Sequence, residues 1–368
     1  MALVIMVEDR RKYAIEMAQQ PLIIWDQGSA YDLFISLWIL HQPDEFGLRP
    51  SWAAGVRSRL PNPLRETLEQ AVLILRVPLR WVHTLPDPKD TQAVLDTLKS
   101  IPAADRLATL MFTDREGEQS SETLAFLNAL AGHRRLTAKI EGRIQELFPK
   151  PGQATESFMR ALFTAWSAPA AFGESLYQAL EAYVQNFFHE EEARILPAQQ
   201  AALAKVQARI EQEDLLTVLE DISNGVRMDW VQDVQQLVFA PSFWGSPFVF
   251  FDSPSSQTGL VLFGARPKDM ALVPGELVPE DLLNALKALA DPTRLRILRT
   301  LLEAPSTPSD LAKSLRLRPP TVVHHLHILR LAGLVMVTVA PKAERRYAIR
   351  QEGLDATVVD FQNFLSGD

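Results

Sequence analysis

The 368-residue sequence contains no cysteine. That single absence excludes disulfides, thiolate metal sites and cysteine nucleophiles together, and is compatible with a reducing cytoplasm. Long apolar runs are missing as well. The start, Met1–Val7 followed by Glu8 and Asp9, is too short and wrongly flanked for a signal peptide or a membrane span, so no membrane association and a cytoplasmic location are expected. There is no GxGxxG after a strand, no P-loop and no GxSxG. The run His189-Glu-Glu-Glu-Ala-Arg lacks the second histidine of a metalloprotease helix and reads as a solvated face. No residue is therefore put forward as catalytic, no enzyme activity is expected, and no cofactor is implied. Neither 20–50-residue repeats nor low-complexity tracts are found.

What is present is an ordinary globular composition, 47% hydrophobic and 22% charged, in a chain longer than one comfortable domain. Charge is unevenly spread. Residues 278–350 hold twelve Lys/Arg against six Asp/Glu; with −8 for the whole chain, the remainder carries −14. A basic module on an acidic protein suits a polyanionic partner.

Taken in order, Leu22–Trp25 reads as a short strand and Ala30–Leu40 as a strongly apolar buried helix after a cap at Ser29. Helices are expected near 51–59, 64–76, 90–99, 103–112, 121–147 and 155–167. Another runs from Glu174 towards Arg194; Pro197 is expected to break or restart the pattern that continues to Ile210. Glu213–Ile222 follows. Then the period changes: runs near 225–230, 236–240, 247–252 and 259–264 are β-rich and suggest an antiparallel meander. The expected fold class is mainly α (α+β). Residues 1–270 would form a helical N-terminal domain with a small antiparallel sheet, and residues 278–368 a second domain. The seven tryptophans read mostly as core; a few could line a ligand cavity.

The second domain carries the stronger signals. Glu280–Ala290 is a helix, Asp291-Pro292 a cap and start signal for Thr293–Leu302, and Thr307-Pro308 another for Asp310–Leu315. Pro320 fits the first turn of the next helix and Gly333 the left-handed position beyond its end. Within it Val322, Leu326 and Leu329 recur at i, i+4, i+7 as one narrow apolar stripe. At about 100° per residue, His324 and His327 lie opposite that stripe, with Thr321 beside them. One face thus holds the helix to a core while the other presents hydrogen-bonding groups, as a helix in a DNA major groove requires. Leu334–Val339 and Arg345–Ile349 form a basic hairpin, and a last helix from Leu354 aligns Leu354, Val358, Phe361 and Leu365.

This order is a winged helix-turn-helix. Ala288–Leu298, Asp310–Leu315 and Pro320–Val335 resemble the ArsR/SmtB-like bacterial transcriptional repressors, over about the last 90 residues. The preceding region resembles the large, uncharacterised N-terminal domains fused to such modules in some bacterial regulators. The resemblance implies a homodimer on double-stranded DNA, recognition helices in successive major grooves and wings on the flanking backbone. Thr321, His324 and His327 are placed to reach bases or phosphates, and Arg318, Lys342, Arg345 and Arg346 to contact phosphates. His325 flanks the stripe, where a packed, hydrogen-bonded histidine and a DNA contact are equally open. Arg294 and Arg296 suit structural or backbone-neutralising roles.

Two departures stand out: Val323 replaces a residue that is often polar in the family, and Pro319 one that is often glutamine. Family members often sense metals through cysteines on the third helix or His/Asp pairs on the last. Neither set is matched here, so no metal site is carried over, and the N-terminal domain is expected to sense an unidentified small-molecule or protein effector. The alternative is a winged-helix protein-interaction module without sequence-specific DNA binding.

Overall fold

The computed structural model describes residues 21–113, 118–149, 153–255, 257–267, 270–273, 278–338 and 344–366. Strand β1 (Leu22–Trp25) leads into α1 (Ser29–His41), in which every residue except Trp38 and His41 is buried. A helix apolar on all sides belongs in the middle of a bundle, and α1 is that middle. Around it come α2 (Pro50–Arg57), α3 (Asn62–Leu75), α4 (Leu79–His83), α5 (Thr91–Ser100) and α6 (Arg106–Phe112). The helical region continues through α7 (Glu118–Asn128), α8 (Ala138–Leu147), α9 (Glu156–Ser167), α10 (Pro169–Tyr183), α11 (His189–Ile210) and α12 (Leu215–Ile222). Side-chain caps start several of these, Asp90 accepting from Ala93 N at 2.8 Å and Thr155 from Phe158 N at 3.2 Å.

Two expectations for the helices change. The stretch 121–147 is two helices, because the segment around Gly132, at φ 79°, turns the chain and Thr137 caps a new start. Pro197 lies inside α11 without ending it. It removes the bond to the carbonyl four residues back, yet Ile195, Ala198 and Gln199 on either side are buried and hold the helix to the core.

The strands are β2 (Val226–Arg227), β3 (Gln236–Ser242), β4 (Phe250–Asp252) and β5 (Thr258–Gly264). They do not form the expected antiparallel meander. The sheet order is β1-β3-β5-β4, with β1 and β5 both parallel to β3 and only β4 antiparallel to β5. The physical reason lies in the side chains: Leu237–Ala240 and Leu260–Phe263 are solid apolar runs, the pattern of strands covered on both faces. The long helical excursion between β1 and β3 supplies the crossover that a parallel pair needs.

Alternate residues serve two cores. Val238, Ala240, Leu260 and Leu262 point into the helical bundle. Leu237, Phe239, Val261 and Phe263 point into a second core shared with the C-terminal helices. These are α13 (Glu280–Leu289), α14 (Pro292–Glu303), α15 (Pro308–Leu315), α16 (Pro319–Leu331) and α17 (Gln351–Ser366), with the hairpin β6 (Val335–Thr338) and β7 (Arg346–Ile349) between the last two. Strand β2 leaves the first sheet altogether. It pairs parallel with β6, so the hairpin becomes a three-stranded sheet of order β2-β6-β7.

Candidate nucleic-acid interface

Local chemistry sets the helix-turn-helix. Asp291 accepts from Arg294 N at 2.9 Å and opens α14, with Pro292 in its first turn. Thr307 accepts from Asp310 N at 3.1 Å and donates to the Asp310 carboxylate at 2.8 Å, opening α15. Arg316, left-handed at φ 56°, ends α15 and turns the chain towards α16. Val322, Leu326 and Leu329 are each fully buried against the second core, which fixes the rotation of α16.

That rotation leaves Arg318, Thr321 and His324 exposed on the first turns of α16, and Arg345 and Arg346 exposed where the hairpin returns. Lys342 lies outside the described residues. His325 is half-buried. Burial pushes its imidazole below the usual pKa against the opposing charge of Asp291, and its Nδ1 is buried with no hydrogen-bond partner among the described residues. Arg294 is structural: its Nε and Nη2 donate to the carbonyls of Ala288 and Lys287, each at 2.8 Å, and so hold the end of α13.

His327 is not free. Its Nε2 sits 2.7 Å from the carbonyl oxygen of Glu45, and its ring stacks on Phe248 at 5.6 Å and 19°. One turn on, the Arg330 guanidinium lies over the same Phe248 ring at 5.4 Å. Thus the first half of the helix is open and the second is clasped by the helical bundle. The sequence reading missed Arg330, Phe248 and Glu45. A signal was available: Val323, His327 and Arg330 recur at i, i+4, i+7 and form a second stripe. Val323, singled out as a departure, is 51% exposed on that stripe and faces a cleft lined by Phe248 and Phe250.

A polar cluster lies elsewhere, behind β1. Asp26 accepts from Tyr31 Oη at 2.8 Å, Lys89 Nζ at 2.6 Å and His83 Nδ1 at 3.0 Å. Burial raises the Asp26 pKa, but these donors and the Lys89 charge outweigh it and hold the carboxyl below its ordinary value. The adjoining cavity of about 790 Å³ is lined by Asp26, Asp90 and Glu192. Each is already committed: Asp90 caps α5, and Glu192 accepts from Ser29 and from Thr91 N and Oγ1. Among the described residues no three His, Asp or Glu side chains converge as a metal site, and no helix is long and apolar enough to cross a membrane.

Comparison with known proteins assigns the two regions. The model of a family of unknown function, DUF5937, matches residues 1–249, most of the chain. The chain belongs to the DUF5937 family. Fused to its DUF5937 region is an ArsR-like helix-turn-helix, for the model of the bacterial regulatory protein arsR family matches residues 291–337. The HTH-type transcriptional regulator CmtR of Mycobacterium bovis is 44% identical over 68 residues, 18% of this chain and 57% of that protein. The transcriptional repressor SdpR of Bacillus subtilis is 38% identical over 52 residues, 14% of this chain and 58% of that protein. The match therefore spans a little over half of each of these curated relatives. A crystal structure of an ArsR family transcriptional regulator is 31% identical, covers 24% of this chain and 98% of its own, and gives a TM-score of 0.21. The DUF5937 region carries the clasp on α16, and no function is attached to that family.

Proposed function

We propose that this protein is a DNA-binding transcription regulator, a repressor of the ArsR type that works as a homodimer. Residues 278–368 would bind the operator and residues 1–270 would act as a non-metal sensor, without enzyme activity. The observation that carries the reading is the exposure of Arg318, Thr321 and His324 on the open half of α16, beside Arg345 and Arg346. Such a surface suits hydrogen bonding in a groove, with the guanidinium groups on its flanking phosphates. The likeness of the C-terminal region to transcription regulators supports it. Exposed Leu286, Leu295, Leu302, Phe361, Phe364 and Leu365 on α13, α14 and α17 offer an apolar surface for the second copy.

The clasp supports a population-shift mechanism, in which a signal read by the DUF5937 region changes how often the second half of α16 is free to enter the groove. Selection of bound sites from random duplexes tests the core of this reading. Inverted half-sites about one helical turn apart are expected. Replacing Arg345 and Arg346 with alanine should weaken binding to all sequences and reduce the salt slope, whereas changing Thr321 or His324 should alter preference among sites. No duplex binding at low salt, or equal losses on every sequence from both sets, contradicts the assignment and favours a protein-interaction module.

A further inference from the structure

The clasp borders an open cleft of about 390 Å³ between the helical bundle, α16 and the hairpin. Its bundle side is aromatic and already braced. Trp38 meets Phe46 edge-on at 5.1 Å and Phe250 at 5.6 Å, and Phe46 meets Phe248 at 5.4 Å. Rings held by other rings make a slot that needs little reordering to accept a flat apolar group. The volume lies in the range of small-molecule sites.

The opposite side carries two arginines, with Glu45 also on the lining. Arg330 is half-buried and lines the cleft with Arg345. Among the described residues neither guanidinium takes part in any of the ion pairs with a carboxylate. Glu45 gives its carbonyl to His327, and its exposed carboxylate makes no ion pair with either arginine. Burial lowers the Arg330 pKa, Tyr347 opposes this, and the charge of Arg345 adds to the lowering. A partly desolvated guanidinium beside another is an unfavourable arrangement that an anion relieves.

We infer that this cleft is a binding site for a small aromatic carboxylate, its ring between Trp38, Phe46, Phe248 and Phe250 and its carboxylate on Arg330 and Arg345. An inorganic anion would satisfy the guanidinium groups but leave the aromatic slot empty. Aromatic amides would do the reverse. Because Val323, His327 and Arg330 belong to α16 and Arg345 to the hairpin, an occupant bridges the DUF5937 region to both DNA-facing elements. It stabilises the clasped state. Given the regulatory reading above, on which this consequence rests, the ligand releases the protein from its operator.

The test uses the full-length protein and titrates phenylacetate and indole-3-acetate, followed by calorimetry and by the fluorescence of Trp38 and its neighbours. Phenylacetamide and inorganic phosphate serve as comparators. At least one acid should bind, with the amide and phosphate weaker by roughly tenfold or more, the loss of one charge-assisted contact. Arg330→Met should weaken the acid by a similar factor. Val323→Trp, which fills the cleft from a position 51% exposed, should block it without lowering the melting temperature, which keeps the test open if the arginine variant folds poorly. No binding of either acid, equal binding of acid and amide, or indifference to both substitutions overturns the site. Duplex binding measured with and without the acid separates the two readings. A bound acid in a protein that binds no duplex leaves the site standing and removes the regulatory role; duplex binding without acid binding does the opposite.

Discussion

Asp32 is the most constrained carboxyl in the described structure. It is 0% exposed. One oxygen accepts from Ser242 Oγ and Trp244 N, the other from Phe243 N and Gln199 Nε2, so α1 is pinned to the end of β3 and to α11. Burial pushes its pKa up to about 6, although all four donors act in the opposite direction. Between the ordinary value of 3.8 and about 6 the folded chain therefore holds a proton that the unfolded chain has released. The stability from this group is fully present below the lower value and is lost as pH rises through the upper one, by about 3 kcal/mol in all. Asp32→Asn, a neutral stand-in for the protonated acid, should lack that slope. Denaturant midpoints at pH 4 to 7 should show the wild type losing stability relative to the variant as pH rises; parallel profiles would contradict the assignment.

Residues with local causes were legible in the sequence. The exposure of Thr321 and His324 follows from the position of the Val322 stripe, which is buried in the second core. His327 was read as facing DNA, and its carbonyl partner, Glu45, lies 282 positions away. The second stripe on α16, Val323, His327 and Arg330, marks a face that needs a partner but does not name the distant residue that supplies it. Asp32 was likewise silent, since its donors come from the strand end and from α11.

Elements follow the same division. The caps Asp291 and Thr307 and the prolines after them were read correctly because a cap is satisfied within three residues. The sheet was misread because direction of pairing depends on the crossover, although its unbroken apolar runs carried the sign of two-sided burial. How α17 docks was also hidden, and it rests on a glycine. A Cβ at Gly353 would sit 2.0 Å from the carbonyl oxygen of Gly333, the left-handed residue that ends the turn after α16. Gly353→Ala must push α17 away from that turn, at a cost of about 1–3 kcal/mol. Gly55, inside α2, has nothing within 4 Å of its would-be Cβ. Gly55→Ala should instead stabilise the protein by about 0.5–1 kcal/mol through helix propensity. Opposite shifts in the unfolding midpoint are the expected outcome; a neutral Gly353→Ala would mean that α17 does not rest on that turn.

Across the whole molecule, the first sheet and α11 contribute residues to both cores, and β2 joins the hairpin. Val226 is 1% exposed and pairs with Val337, and Gly225 O accepts from Val337 N at 2.8 Å, so the hairpin has a strand from the DUF5937 side as its inner neighbour. Gly225 is needed there: at φ 86°, any Cβ would lie 2.7 Å from that of Met336. Residues 278–368 on their own would lose this strand and expose the face that covers Leu237, Phe239, Val261 and Phe263. An unpaired edge and an uncovered apolar face favour aggregation and loosen cooperative unfolding. The isolated segment should therefore melt at a lower temperature than the full chain, bind an apolar dye, and exchange the Val337 amide faster. An equally cooperative melt at the same midpoint would show that the hairpin does not depend on β2. In the full chain that dependence gives the DUF5937 region two handles on the C-terminal helix-turn-helix: the clasp on α16 and the strand under the hairpin. Loosening β2 by Val226→Ala should raise exchange at Val337 while leaving the exposed first turn of α16, around Thr321, unchanged, because that turn is held by Val322 and Leu326 against the C-terminal helices.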